Sequence, residues 1–179
     1  MGDHVKKMFP FIGAVLLTGS SAVLHYCIVW SDRAAWSLLV GSINDSPWEL
    51  YKPVGIVYLF WMLIELSCLR PSLKRFVCAK VIGMYGLCAA ALLTGMVMQI
   101  VPLAQGWHFW IEAAVAVTAA QWTGYRLYAA RCPIEILWIP MLLSIMCMVF
   151  MLLFLSFYPP DWAVFRDCQA LFCNNLYYF

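Results

Sequence analysis

The stretch FPFIGAVLLTGSSAVLHYCIVW, residues 9–30, decides the fold class of this chain. It contains no Lys, Arg, Asp or Glu, and it exceeds the ~20 helical residues that cross the hydrocarbon core of a bilayer. An open strand in lipid would leave backbone groups unpaired, so the stretch is predicted to be a transmembrane helix. Four further predicted helices follow at residues 47–69, 76–101, 107–128 and 134–158.

The composition of the whole chain supports a membrane protein. Hydrophobic residues make up 65% of its 179 positions and charged residues 11%, whereas about 25% of the residues in a soluble domain are charged. It has no glycine-rich phosphate loop and no basic patch for nucleic acid. We expect an all-α integral membrane bundle of about five transmembrane helices. It would form one domain over residues 1–179, with an outer tail at 159–179 and the lipid bilayer as its partner.

The distribution of Lys and Arg predicts the orientation. With the N-terminus inside, eight of the 11 basic residues fall on the inner side and three on the outer side. This asymmetry fits the positive-inside rule and predicts an N-in, C-out protein. Residues 1–18 also resemble a signal peptide, since Lys6 and Lys7 precede an apolar run. That run continues to Trp30, which is too long for such a peptide, so we expect a retained first helix.

The segment SINDSPWELYKP, residues 42–53, holds two Ser, an Asn, an Asp, a Glu and a Lys within twelve positions and follows the first predicted helix. Ser46 fits a helix N-cap, Pro47 fits the first helical position and Glu49 completes a capping box. The second helix is therefore predicted to begin here. Three other polar residues of the segment have no role in such a cap: Asn44, Asp45 and Lys52.

Carboxylates and histidines gather near the predicted outer ends of the helices. His108 and Glu112 are four positions apart, so they face the same side of the fourth predicted helix. His25 lies near the outer end of the first helix, and Asp161 follows the fifth. We predict an outward-facing polar pocket with these substrate-binding candidates: His25, Asn44, Asp45, Glu49, Lys52, His108, Glu112 and Asp161.

Four segments of the chain resemble an uncharacterised bacterial family of small multi-pass membrane proteins, catalogued as a domain of unknown function. They are LLTGSSAVLHYCIVWS, SINDSPWELYK, CAKVIGMYG and SFYPPDWAVFRD, in the same order as in the family. The most specific part is a signature N-[ED]-S-x-W-E, found here at residues 44–49. The resemblance implies a multi-pass protein of the bacterial cytoplasmic (inner) membrane, and it implies no activity.

The chain departs from the family pattern at several positions. Leu50 stands where the family usually has a histidine, and Asp45 replaces a glutamate. Asp161 stands where the family tends to have a histidine after two prolines. If the family has a histidine-based metal or proton site, that site is weakened in this member.

Three interpretations of the outer cluster stay open. His25, Glu49, His108 and Glu112 are ligand types for zinc or iron, although no compact metal motif joins them. A solute or proton site would use Glu49 and Glu112, whose proton affinity responds to desolvation. In the structural interpretation, the same side chains only bond to neighbouring backbone or helices. No cofactor is identified by the sequence.

These interpretations lead to three hypotheses about function. The first is binding or passage of a small solute or ion at the outer pocket. The alternatives are an intramembrane enzyme, metal-dependent or not, and an accessory subunit of a membrane complex. Because five helices leave little room for a pathway in a monomer, passage would depend on oligomers or on a partner subunit.

Small residues recur at helical spacing on the fourth predicted helix, at Ala116, Ala120 and Gly124. Such a line lets helices approach closely, either within one chain or across a homo-oligomer interface. Near the inner ends, Glu65 and Lys80 are expected to pair with each other or with Arg70 at the inner surface, in a structural role. Gln121 is expected to form a hydrogen bond across a helix interface.

The eight cysteines do not form a redox set. Most of them lie in apolar helices, where a free cysteine behaves as a small hydrophobe. The exceptions include Cys168 and Cys173, five positions apart in the outer tail, for which we predict a disulfide. No CxxC motif is present, so a thiol oxidoreductase is not favoured.

Overall fold

The computed structural model confirms the all-α prediction. Every element of regular secondary structure in the part of the chain it describes is helical. The described residues are 3–32, 34–43, 46–98, 107–130, 133–158, 160–162 and 165. The α-helices are α1 (Asp3–Trp30), α2 (Ala35–Val40), α3 (Pro47–Leu69), α4 (Leu73–Met98), α5 (Trp107–Ala129) and α6 (Trp138–Phe157), and a 3-10 turn (Ile134–Leu137) leads into α6.

Four helical segments of the described chain are long and apolar enough to cross a membrane. They are Met8–Trp30, Pro47–Leu69, Leu73–Val97 and Ile134–Leu155. The protein is therefore a multi-pass membrane protein by length and composition. Helix α5 is as long as α3 but carries Glu112, Gln121 and Arg126, and it is not among the four. A fifth crossing by α5 stays a prediction.

The start of α3 confirms the predicted cap. The Glu49 N–H donates to Ser46 Oγ over 3.3 Å, and Pro47 occupies the first turn. This satisfies one of the four N–H groups that the first turn of a helix leaves unpaired. At the other end, Arg70 adopts a left-handed conformation (φ 43°), and its N–H donates to the Leu66 carbonyl.

Helix α5 packs against α1, α3 and α4, so its small side chains lie inside the bundle. Ala116 and Ala120 are fully buried. A Cβ added to Gly83 of α4 would lie 2.8 Å from the Ala120 carbonyl oxygen and 2.6 Å from Tyr58 Oη. The small-residue line, with Gly124, thus serves packing within the chain, which was one of the two alternatives. A homo-oligomer stays a prediction, and this line is already covered by α4.

Helix α6 lies at the edge of the bundle. It packs chiefly on α4, and only 6% of the most apolar 18-residue stretch of the span Ile134–Leu155 is buried within the chain. Its exposed side chains include Leu143, Met146 and Phe150. Large apolar side chains exposed along a span are expected where lipid is the solvent.

The two ends of the bundle differ in their residues. We call one the His25 end, where α1 ends and α3 and α5 begin. We call the other the Arg70 end, where α3 ends and α4 begins. The predicted orientation assigns the His25 end to the outer side, and that assignment stays a prediction.

The contact at Gly83 predicts the effect of a single methyl group. Gly83→Ala would push α4 away from the Ala120 carbonyl and lower the free energy of unfolding by roughly 1–3 kcal/mol, the usual cost of overpacking. Unfolding in mixed detergent–dodecyl sulfate micelles measures this. Gly86→Ala is the matched control, because its Cβ would meet Thr123 Oγ1 only at 3.8 Å. Equal stability of the two variants would contradict the close contact.

Candidate functional site

A buried ion pair closes the segment between α1 and α3. Lys52 Nζ lies 2.8 Å from Glu49 Oε2 and donates to the Leu38 carbonyl oxygen of α2 over 3.1 Å. The Ile43 N–H donates to the same Glu49 oxygen over 3.0 Å. Lys52 is 0% exposed and Glu49 is 5% exposed. The pair therefore fastens α2 and the loop between α2 and α3 to α3, which gives Lys52 a structural role.

His25 joins the same segment to α1 and α5. Its Nδ1 lies 2.9 Å from Ser42 Oγ, and Ser42 Oγ donates to the Glu49 carbonyl oxygen over 2.9 Å. Because a hydroxyl carries a single proton, Ser42 accepts the hydrogen bond from His25 Nδ1–H. The imidazole also stacks on Phe109 of α5, with ring centroids 4.2 Å apart and planes inclined by 12°. Ser42 thus links His25 to the backbone carbonyl of Glu49, while the shared pocket role of the two side chains stays a prediction.

Glu112 is the carboxylate that this network does not satisfy. It is 1% exposed, and neither of its oxygens has a hydrogen-bond partner within the described residues. A Cβ added to Gly95 of α4 would lie 3.1 Å from Glu112 Oε2 and 3.0 Å from Pro47 Cβ. The carboxylate therefore sits where α3 begins, α4 nears its end and α5 begins, beside a glycine that leaves it room.

A second polar group without a partner belongs to the same end of the bundle. The Trp48 indole Nε1 is buried and has no hydrogen-bond partner among the residues described. Its ring packs against Tyr51 at 5.8 Å and Phe165 at 5.4 Å between centroids. Trp48 follows Pro47 directly, so the Trp48 N–H and the Glu112 carboxylate, both near the start of α3, lack a hydrogen-bond partner among the described residues.

The remaining predicted site residues are not brought into this cluster by the described structure. Asp161 lies exposed beyond the end of α6. Several candidates lie outside the described residues, or have side chains that do: Asn44, Asp45, His108, Cys168 and Cys173. Their pocket roles and the disulfide stay predictions.

The geometry gives the metal hypothesis no additional support. Within the described residues, no group of three or more His, Cys, Asp or Glu side chains could hold a metal ion. Glu49 Oε2 is engaged by Lys52 and Ile43, and His25 Nδ1 by Ser42. A centre formed by the four ligands His25, Glu49, His108 and Glu112 stays a prediction.

A second buried polar network lies nearer the Arg70 end. Lys80 of α4 forms an ion pair with Glu65 of α3, and Lys80 Nζ donates to Gln121 Oε1 of α5 over 2.8 Å. The Trp61 indole N–H donates to Glu65 Oε1 over 2.8 Å. The predicted pairing and the predicted bond of Gln121 across a helix interface are both confirmed. Glu65 and Lys80 are buried inside the bundle, at 2% and 7% exposure, and their expected level at the inner membrane surface stays a prediction.

Helix α1 closes this second network from the side. A Cβ added to Gly13 would lie 2.7 Å from Trp61 Nε1 and 2.9 Å from Gln121 Nε2. The glycine therefore allows α1 to cover the polar side chains. Sequence reasoning missed this contact, although Gly13 within an apolar run is the kind of signal that marks a close helix approach.

No family model matches the chain, and neither a curated protein nor a solved structure does. The resemblance to the bacterial membrane family therefore rests on the sequence motifs alone.

The Glu49–Lys52 pair predicts a large effect of removing one charge. Lys52→Met leaves Glu49 buried without its cation and is expected to lower the free energy of unfolding by roughly 3–5 kcal/mol. Adding Glu49→Gln to this variant removes the stranded charge and should restore part of the loss. Unfolding in mixed micelles measures both variants.

A matched control for this prediction is Lys74→Met. Lys74 is an exposed lysine whose Nζ lies 5.5 Å from the centroid of the Trp138 ring, a contact worth about 0.5–1 kcal/mol at such a site. An effect of Lys52→Met no larger than this control would show that the pair does not hold the segment.

Proposed function

We propose that this multi-pass membrane protein binds a small cation, a proton included, at Glu112 and passes it across the membrane by way of the His25 end. One observation supports this proposal. The Glu112 carboxylate is 1% exposed, and both of its oxygens lack a partner within the described residues.

The physical argument concerns the cost of burying charge. Transferring an ionised carboxylate out of water is expensive unless a counter-charge or hydrogen-bond donors replace the water. Ionisable side chains inside a membrane protein accordingly tend to line ion or proton pathways. Glu112 can offset this cost by binding a proton or a cation. When the ligand leaves, the charge of the carboxylate is again unbalanced.

Comparison with the other buried carboxylates singles out Glu112. Glu49 is neutralised by Lys52, and Glu65 is neutralised by Lys80. Neither acid needs a ligand to balance its charge, so neither is a natural cation site. Among the buried carboxylates, Glu112 is therefore the candidate for the cation, and the pocket roles of the other predicted residues stay part of the prediction.

The predicted topology indicates which side of the membrane the His25 end faces. Eight of the 11 basic residues lie on the inner side if the N-terminus is inside, and this arrangement supports an outward-facing His25 end. The motif resemblance supports a bacterial cytoplasmic membrane as the location. Both assignments are part of the proposal.

Cation binding should appear as a ligand-dependent gain in stability. A cation that binds only the folded protein raises the melting temperature, by linkage, as its concentration rises above Kd. We expect this with one of lithium, sodium or potassium chloride, at ionic strength held constant with choline chloride. A site that takes only protons would show no such metal-ion effect and would appear instead as proton flux.

Glu112→Gln tests the proposal in both assays. It keeps the side-chain shape, and the fold should persist because the carboxylate oxygens have no described partners to lose. Cation-dependent stabilisation is expected to disappear in this variant. Cation or proton flux into proteoliposomes is expected to fall to the level of protein-free liposomes. Glu135→Gln is the matched control, since Glu135 is exposed and lies 3.5 Å from Arg75 in a weak ion pair.

The outcomes separate the alternatives. Unchanged flux and unchanged stabilisation in folded Glu112→Gln would refute the role of this carboxylate. Absence of any cation effect or flux in the unmodified protein would instead favour the enzyme or the accessory-subunit hypothesis.

A further inference from the structure

A cavity of about 500 Å³ lies at the Arg70 end of the bundle, between the start of α1, the end of α3, the start of α4 and the end of α5. Apolar groups form much of its wall, among them Phe9, Leu69, Phe76 and Tyr125. Its volume lies within the range of small-molecule binding sites. The proposed cation site involves other residues, at the His25 end, so this cavity needs an explanation of its own.

The charges around the cavity leave an excess positive charge. Its lining contains Glu65, Lys80 and Arg70. Glu65 and Lys80 neutralise each other in their ion pair. The Arg70 guanidinium has no ion pair or hydrogen bond with any described residue. One uncompensated cation therefore stands at an apolar cavity, which favours an anionic ligand.

The position of Arg70 is set by the backbone. It caps α3 in the left-handed region (φ 43°), with its N–H bonded to the Leu66 carbonyl, and Pro71 follows it in the cavity wall. Arg75 Nε donates to the carbonyl oxygen of Tyr128, a lining residue, over 2.9 Å, and its guanidinium is paired with Glu135 at 3.5 Å. The excess positive charge at the cavity is therefore that of Arg70.

We propose that this cavity binds the headgroup of an anionic phospholipid. The guanidinium of Arg70 would take the phosphate oxygens, because its forked N–H groups match phosphate geometry. The apolar wall would take the glycerol and the first acyl carbons. The cavity lies where one candidate membrane span ends and the next begins, which is the level of the lipid headgroups, and basic pockets between membrane helices suit such headgroups.

The test is native mass spectrometry of the detergent-purified chain titrated with phosphatidylglycerol or with phosphatidylcholine of the same acyl chains. One bound phosphatidylglycerol is expected to persist under conditions that strip phosphatidylcholine. Arg70→Asn removes the charge and keeps a residue that tolerates the left-handed conformation. The preference for phosphatidylglycerol should drop about fivefold in this variant, the factor that corresponds to one basic group near anionic lipid.

Two further variants make the result specific. Arg126→Gln is the control, because it removes a cation from the same end that stacks at 5.6 Å from the Trp122 ring and does not line the cavity. Its lipid preference should be unchanged. Ala129→Phe fills the cavity from an exposed lining position and should remove the bound lipid even if Arg70→Asn folds poorly.

Three results would overturn the proposal. Equal retention of the two lipids would mean that charge does not select the ligand. Equal losses in Arg70→Asn and Arg126→Gln would reduce the effect to general surface attraction. Displacement of the lipid by millimolar glycerol 3-phosphate, in an Arg70-dependent manner, would assign the cavity to a soluble phosphate compound instead.

Discussion

The contact on which the arrangement depends is the approach of α4 to the backbone of α5 at Gly83. A Cβ there would lie 2.8 Å from the Ala120 carbonyl oxygen, so only glycine permits this spacing. The same approach lets Lys80 reach Gln121 on α5. Further along the pair, Gly95 of α4 adjoins the Glu112 carboxylate. Helices held farther apart would lose the Lys80 network and would open the Glu112 carboxylate to its surroundings.

Three buried carboxylates in one bundle show how neighbours decide a role. Glu49 and Glu65 each meet a lysine and at least one N–H donor, which replaces much of the hydration that burial removes. These two acids join helices to each other. Glu112 is buried as well, but its oxygens have no hydrogen-bond partner among the described residues. This difference, rather than residue type or depth, makes Glu112 the candidate for ligand binding.

The two ends of the bundle offer opposite chemistry. Within the described residues, the His25 end presents a carboxylate without a counter-charge, and the Arg70 end presents a guanidinium without one. A small cation suits the first site and an anionic headgroup suits the second.

The sequence by itself determined the helical membrane class and the cap at Ser46. These follow from local rules, namely apolar length and capping geometry. For Glu65 the sequence left two partners open, Lys80 and Arg70. It also collected His25, Glu49 and Glu112 as candidates, but it could not rank them. Glu49 and Lys52 lie one turn apart on α3, so their pairing follows a local spacing. Only the tertiary structure decided that Glu112 has no partner among the described residues, since partners on different helices depend on how the helices rotate and pack. The short helix α2 and the Arg70 cavity likewise arise from that packing, which no local periodicity encodes.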